Sequence, residues 1–267
     1  AKNIVQAQFK KWHVFLLMII ALFCGLQWSA AKQVVANVVA EKPIKSAKKI
    51  NTTTIEVAYA NGKKLLIDFY GENIFRLFQD NNGGAIRPPQ AKPEAHILVE
   101  NPRKPLSRLD IVDGESQIKI TTANTIVYID KQTQLFKAIN QEKNAVAFEF
   151  AKPLLFEADK VTIGLKENAS EYFYGGGVQN GRFSHKGKTI AIENQNSWTD
   201  GGVASPTPFF WSTRGYGVMW YTFKKGRYDF GDKEKSLVNL YHETDYLDVF
   251  FMIGDGAVPL LKSFYQL

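Results

Sequence analysis

Hydrophobic and polar residues alternate in short runs along most of the chain, with turn residues between the runs. Thr54–Ala60 and Lys63–Tyr70 are two such runs, and the Asn61-Gly62 pair between them is a strong hairpin signal. Further runs are Asn73–Gln79, His96–Glu100, Gln117–Thr121, Thr125–Asp130, Leu135–Ile139, Ala145–Phe150, Leu154–Phe156, Val161–Glu167 and Leu247–Ile253. Because short strands recur about every 8–12 residues and no helical period interrupts them, the pattern predicts an all-β sandwich.

The last residues change character. After the turn Gly254-Asp255-Gly256, the segment Ala257–Leu267 places apolar residues at Val258, Leu261, Phe264 and Tyr265, which is a helical spacing. This helix carries neither a C-terminal cap nor a stop signal. We therefore expect a sandwich over residues 51–254, with residues 255–267 beginning a further domain.

The N-terminus resembles an export signal. Lys10 and Lys11 precede the apolar run Val14–Leu26, and the small residues Ser29-Ala30-Ala31 form a cleavage site shortly after it. A membrane-spanning helix needs about 20 apolar residues, so an uncleaved anchor is the less favoured alternative. The pattern predicts a signal peptide over residues 1–31, a polar linker over 32–50, and membrane contact only through the signal.

The position of the single cysteine agrees with export of the chain. The only cysteine, Cys24, lies inside the apolar run and is lost on cleavage after Ala31. The mature chain then has no disulfide, thiol nucleophile or cysteine metal site. Export without disulfides favours a bacterial periplasmic or extracellular protein.

Charge and motifs exclude several functions. The net charge of +7 includes three lysines of the signal segment, and the other basic residues are mostly scattered, which argues against nucleic-acid binding. The glycines Gly175–Gly177 lack the G-x-G-x-x-G spacing of a dinucleotide site, because Asn180 occupies the sixth position. The histidines beyond the signal, His96, His185 and His242, have no metal-binding spacing. No cofactor and no metal are expected, and His185 is predicted to be an ordinary surface or hydrogen-bonded histidine.

Candidate chemistry concentrates in Tyr172–Gly231, which holds 11 of the 20 glycines. The triple glycine predicts a bend or bulge. Trp198, Thr199 and Asp200 lie on a glycine-rich loop, where an aromatic face and a carboxylate suit a sugar ring and its hydroxyl groups. The other candidate carboxylates, within this stretch or shortly after it, are predicted to be turn or cap residues rather than catalytic acids, namely Asp229, Asp232, Glu243, Asp245 and Asp248.

Several ordered motifs resemble glycoside hydrolase family 31. They are Phe173–Gly177 with Gly181-Arg182, Lys186–Lys188, Asn194–Asp200 with Pro206 and Pro208-Phe209, Gly215–Val218, Tyr228–Gly231, and Leu247-Asp248 with Phe250-Phe251 and Gly254. The resemblance covers about residues 54–267 in order. It implies a galactose-mutarotase-like β-sandwich that precedes a catalytic (β/α)8 barrel.

The resemblance also implies an activity for the complete protein and a separate role for each of its two domains. The complete protein is expected to be a retaining α-glycosidase acting on α-linked oligosaccharides, with both catalytic aspartates in the barrel beyond Leu267. No catalytic residue is therefore expected in this chain. The loop around Asn194–Pro208 is expected to reach the barrel mouth, with Trp198, Thr199 and Asp200 touching substrate.

Two other functions remain open. A non-catalytic carbohydrate-binding module would use the same loop, but the uncapped helix at Ala257–Leu267 argues against a finished module. A free-standing mutarotase needs a general acid and base facing one sugar, typically histidine and glutamate. The few histidines argue against that activity.

Overall fold

The structure is a computed structural model that describes residues 42–80, 83 and 98–267. The predicted signal peptide, the linker up to residue 41 and most of the segment 81–97 lie outside the described residues. Of the predicted strand His96–Glu100, only residues 98–100 are described, and they are not in a strand. The residues Lys42–Leu267 form one compact unit.

The described residues form eighteen strands and one helix. The strands are β1 (Ile44–Lys49), β2 (Thr54–Tyr59), β3 (Lys64–Gly71), β4 (Ile74–Gln79), β5 (Asp110–Asp113), β6 (Gln117–Thr121), β7 (Thr125–Asp130), β8 (Phe136–Asn140), β9 (Ala145–Glu149), β10 (Leu155–Phe156), β11 (Val161–Lys166), β12 (Phe173–Gln179), β13 (Thr189–Ile192), β14 (Val203–Ser212), β15 (Tyr216–Trp220), β16 (Gly226–Phe230), β17 (Leu237–His242) and β18 (Leu247–Ile253). The helix is α1 (Ala257–Gln266). The all-β prediction is confirmed.

The strands form three antiparallel sheets. The large sheet has the order β1-β2-β3-β4-β18-β15-β14-β12, and the two five-stranded sheets have the orders β10-β11-β17-β16-β13 and β5-β6-β7-β8-β9. An isolated bridge between Phe150 and Leu165 joins the two smaller sheets. Together the smaller sheets cover one face of the large sheet, which makes the sandwich.

The main core lies between these layers and is rich in phenylalanine. Phe251 of the large sheet stacks on Phe148 with ring centres 4.7 Å apart, and Phe173 stacks on Phe230 at the same distance. These four rings are almost completely buried. Because each buries a large apolar area, such contacts supply much of the stability of the sandwich.

Helix α1 covers part of the opposite, outer face of the large sheet. Leu260, Phe264 and Leu267 face a second apolar cluster, and Phe264 stacks on Phe209 with ring centres 4.1 Å apart. Val258 and Tyr265 point away from the sheet and are exposed. Within the described residues, no helix has the length and hydrophobicity needed to span a membrane.

The predicted linker is wrong over Ile44–Lys49, which forms strand β1. Ile44 and Ala47 are buried while the residues between them are exposed, so the burial period is three rather than two. The pairing register with β2 shifts between Ile44 and Ser46, which is a bulge and explains the missing alternation. Strand β5, Asp110–Asp113, was also not predicted, since it is short and mostly exposed.

The triple glycine forms the predicted bulge. The pairing of β12 with β14 shifts register between Gly175 and Gly177. Gly177 has a φ of +78°, and a Cβ there would lie 2.1 Å from the carbonyl oxygen of Ser205. Only glycine combines this conformation with so close an approach of two strands.

Candidate functional site

The predicted substrate residues lie on the segment that connects β13 to β14. We call residues 193–202 the Trp198 loop. Inside it, the N–H of Ser197 donates to the carbonyl of Val203 at 3.0 Å, and the N–H of Gly202 donates to the carbonyl of Thr199 at 2.9 Å. A Cβ on Gly202 would lie 2.3 Å from the Ser197 hydroxyl. The loop is therefore folded tightly upon itself.

The three predicted side chains differ in their surroundings. The indole of Trp198 is 76% exposed. The hydroxyl of Thr199 lies 3.1 Å from that of Ser197. Asp200 is exposed, and its carboxylate lies beside Gly181, where a Cβ would come 1.4 Å from Oδ1. The loop thus presents an open aromatic face, a hydroxyl and a carboxylate within three consecutive residues.

The segment that follows β12 holds the Trp198 loop from the side. Asn180 donates its backbone N–H to Gly202 and accepts from the N–H of Gly201, at 3.0 and 2.8 Å. Its side-chain amide donates to the carbonyl of Ser197 at 2.7 Å. Sequence reasoning did not single out Asn180, because an asparagine after a strand is the ordinary signal of a turn.

A line of aromatic rings begins next to this segment. Phe183 is 86% exposed and meets Tyr174 edge to face, with ring centres 5.5 Å apart. Tyr174 in turn stacks on Trp211 at 4.6 Å. Both belong to the outer face of the large sheet, next to Phe209 and helix α1. The aromatic surface therefore extends from the helix toward the segment that holds the Trp198 loop.

The two described histidines are structural. His185 is buried, and its Nε2–H donates to the carbonyl of Gly175 at 2.8 Å, so it is the hydrogen-bonded histidine that the sequence allowed and not a surface one. Burial lowers the pKa of His185 below its ordinary value. His242 is also buried and lies between Tyr228 and the carbonyl of Lys224. No cluster of three or more potential metal ligands occurs among the described residues.

The candidate carboxylates have separate roles. Asp229 lies near the end of β16, and its carboxylate accepts from the backbone N–H of Asp232 at 2.8 Å, so it caps the turn after the strand, as predicted. The same prediction was wrong for Asp248, which lies inside β18. Its carboxylate is fully buried and accepts two hydrogen bonds from Arg76.

Comparison with known proteins identifies the fold. The sequence model of the "Glycosyl hydrolase 31 N-terminal galactose mutarotase-like domain" matches residues 64–229. No curated protein sequence shows significant similarity to the chain. The match includes the strand β12, its glycine bulge and the whole Trp198 loop.

Solved structures of GH31 enzymes share the architecture. The dextranase of Flavobacterium johnsoniae, complexed with glucose, superposes with a TM-score of 0.71 at 14% identity, over 83% of this chain and 27% of that chain. A GH31 α-xylosidase from a soil metagenome, complexed with xylose, superposes with a TM-score of 0.59 at 20% identity. The superposition covers 79% of this chain and 32% of that chain. The glucosidase II alpha subunit superposes with a TM-score of 0.64 at 12% identity, over 92% of this chain and 36% of that chain. The chain thus spans about a quarter to a third of these proteins.

Proposed function

Because the chain belongs to the N-terminal galactose mutarotase-like domain family of glycosyl hydrolase 31, we propose that the complete protein is an exported α-glycosidase acting on α-linked oligosaccharides. The family resemblance implies that two aspartates of a (β/α)8 barrel carry out catalysis. The sandwich packs on that barrel and contributes the Trp198 loop to the sugar site. Export is supported by the signal-like pattern of residues 1–31.

One observation carries the role of the Trp198 loop. Trp198 is 76% exposed on a loop whose backbone is held by hydrogen bonds on both sides of it. A large aromatic ring exposed on a fixed backbone offers its face to a ligand without first having to be ordered. The neighbouring hydroxyl of Thr199 and carboxylate of Asp200 supply polar partners for sugar hydroxyl groups.

Packing on a barrel is supported by helix α1. Val258, Leu261 and Tyr265 follow one another at helical spacing and are 62%, 37% and 78% exposed. They lie on the side of the helix that faces away from the large sheet. An apolar stripe of this kind, next to the half-buried rings of Tyr174 and Trp211 on β12 and β14, is typical of a face that contacts another domain.

Charges on this stripe are expected to separate the two domains. In the complete protein, the double change Leu261→Lys and Tyr265→Lys should split one calorimetric unfolding transition into two, because it places two cations in an apolar interface. The matched control is Val112→Lys with Leu155→Lys, two exposed apolar residues that lie on the smaller sheets. A single unchanged transition in the helix variant would remove the support for packing through α1.

Loss of the Trp198 ring is expected to weaken substrate binding. Trp198→Ala in the complete protein should raise KM for isomaltotriose or maltotriose about tenfold, which corresponds to about 1.4 kcal/mol of lost stacking. Tyr172→Ala is the control, since Tyr172 is half exposed at the opposite end of β12. If both variants keep the KM of the natural protein, the loop does not touch the sugar.

The location and the activity of the complete protein test the proposal that it is an exported α-glycosidase. Glycosidase activity is expected in the exported fraction of the source cells, with a mature chain that begins at Lys32. Residues 32–267 alone should show no turnover, because the catalytic aspartates are expected beyond them. If this fragment hydrolyses the oligosaccharides, the active site has been misplaced. If the complete protein binds them without turnover, it is a carbohydrate-binding module.

A further inference from the structure

We infer that Asn180 is the positioning residue of the sugar-binding loop, an inference that rests on the proposed function. Asn180 follows β12 and makes three hydrogen bonds to the Trp198 loop. Its side-chain Nδ2 donates to the carbonyl of Ser197, and its backbone N–H and C=O pair with Gly202 and Gly201. One residue thereby holds both flanks of the segment 198–200.

The placement of these bonds explains why one residue suffices. Ser197 directly precedes Trp198, and Gly201 directly follows Asp200. The two flanks are thus tied to the same point at the end of a sheet strand, and the three substrate residues lie between them. Since Trp198 and Asp200 are themselves exposed, the packing of their side chains contributes little to their position. Their orientation depends on the backbone that Asn180 holds.

The chain next to Asn180 is shaped to let the two segments meet. Gly181 has a φ of +68°, and the carboxylate of Asp200 occupies the space where a side chain at residue 181 would begin. The Arg182 guanidinium lies against Gly201, where a Cβ would be 3.2 Å from Nη2, and it donates to the carbonyl of Thr189 at 2.9 Å. Arg182 thus links the loop to the start of β13.

The chemistry at residue 180 requires an amide. The carbonyl of Ser197 can only accept a hydrogen bond, and the Nδ2 of asparagine is a donor of the right reach. Aspartate has almost the same shape, but its carboxylate would face that carbonyl with an acceptor. The Asn180→Asp change therefore removes one bond, adds a repulsion and leaves the backbone bonds of residue 180 possible.

Hydrogen exchange tests whether Asn180 holds the loop. In the complete protein, Asn180→Asp and Asn180→Ala should each speed amide exchange at Ser197, Gly201 and Gly202 by about fivefold, the factor that corresponds to one lost hydrogen bond. Exchange in β12 and β14 should stay unchanged. Gln195→Ala is the matched control, because this amide lies on the same loop and bonds only to Glu193 among the described residues.

Kinetics test whether the loop position matters for the sugar. We expect KM for isomaltotriose or maltotriose to rise about fivefold in Asn180→Asp, with kcat within about twofold of the natural protein. Loop exchange equal to that of Gln195→Ala would overturn the inference. Faster exchange with an unchanged KM also overturns it if Trp198→Ala raises KM. If Trp198→Ala leaves KM unchanged as well, Asn180 still holds the loop and the proposed sugar-binding role fails.

Discussion

Replacing Asp248 with asparagine is expected to lower the free energy of unfolding by about 3–5 kcal/mol, the usual cost of leaving a buried charge without its partner. Asp248 accepts two hydrogen bonds of 2.6 Å from Nε and Nη2 of Arg76. The aspartate side chain is fully buried and that of Arg76 is 12% exposed. Burial opposes the charge of Arg76, but the carboxylate of Asp248 outweighs it and raises the pKa of the guanidinium.

Among the described residues Arg76 forms no ion pair with a second carboxylate, since Asp68, opposite it on β3, is bonded to Arg103. The third contact of Arg76 is the Tyr70 hydroxyl at 3.0 Å, and the rings of Phe78, Tyr221 and Phe250 surround it at 5.3–5.7 Å. Aromatic faces attract a cation, yet they cannot replace a paired carboxylate around a side chain that is only 12% exposed. An unpaired guanidinium would therefore remain in an apolar environment.

Denaturant unfolding at neutral pH measures this effect. The matched control is Glu234→Gln, which also turns a carboxylate into an amide but breaks the exposed pair with Lys152, at a cost of about 0.5 kcal/mol or less. The double variant Arg76→Met with Asp248→Leu should recover most of the loss, because it removes both charges. Equal effects of Asp248→Asn and Glu234→Gln would show that the buried pair does not stabilise the sandwich.

The stability of the sandwich is expected to fall between pH 6.5 and about 4 because of His242. Burial lowers the pKa of His242 to about 4. In the unfolded chain this imidazole takes up a proton near pH 6.5, whereas in the folded chain it resists until about pH 4. The stabilisation is complete above pH 6.5 and is lost as the pH falls through this window, by about 3 kcal/mol in total.

Burial is what keeps His242 neutral and lowers its pKa, whereas its hydrogen bond to Lys224 acts in the opposite direction. Nδ1 lies 2.8 Å from the carbonyl of Lys224, so it carries the proton and donates it. Nε2 lies 2.9 Å from the Tyr228 hydroxyl and accepts from it. Trp220 lies beside the imidazole ring, with ring centres 4.9 Å apart. A second proton would turn Nε2 into a donor and place a charge in the apolar core.

Denaturant unfolding as a function of pH tests this expectation. His242→Gln should be less stable than the natural chain at pH 7.5, and the difference should shrink toward pH 4 as the natural chain loses the contribution of the neutral histidine. The carboxylates titrate in both proteins and cancel in the comparison. Stability curves that stay parallel from pH 7.5 to 4 would show that His242 does not carry the pH dependence.

Strand positions were largely predictable because their signals are local. The run Gln117–Thr121 and the hairpin turn at Asn61-Gly62 depend on neighbours only a few residues away, and the structure confirms both. Strand β1 was missed because its bulge breaks the period of two. The glycine bulge of β12 was predicted from the three consecutive glycines, whereas the strand that pairs with it, β14, was not predicted.

The candidate site was predictable only in part. Trp198, Thr199 and Asp200 stood out because an aromatic ring and a carboxylate share a glycine-rich loop, and whether they touch a sugar stays a prediction. Asn180 gave no signal, since its role depends on the loop folding back to it from residues 197–202. Asp248 was predicted to be a turn or cap residue, because nothing near it in sequence reveals a partner 172 residues away.

The class of fold, the positions of β2–β4, β6–β11 and β18, a helix over Ala257–Leu267 and the family resemblance could all be predicted from the sequence. These follow from hydrophobic period, turn chemistry and short motifs, all of which act over a few residues. The strand order of the three sheets, the burial of Asp248 with Arg76 and the contacts that hold the Trp198 loop became visible in the folded structure alone. These depend on contacts between distant segments, whose register no local pattern encodes, because each strand pairs equally well with many others until the whole core is packed.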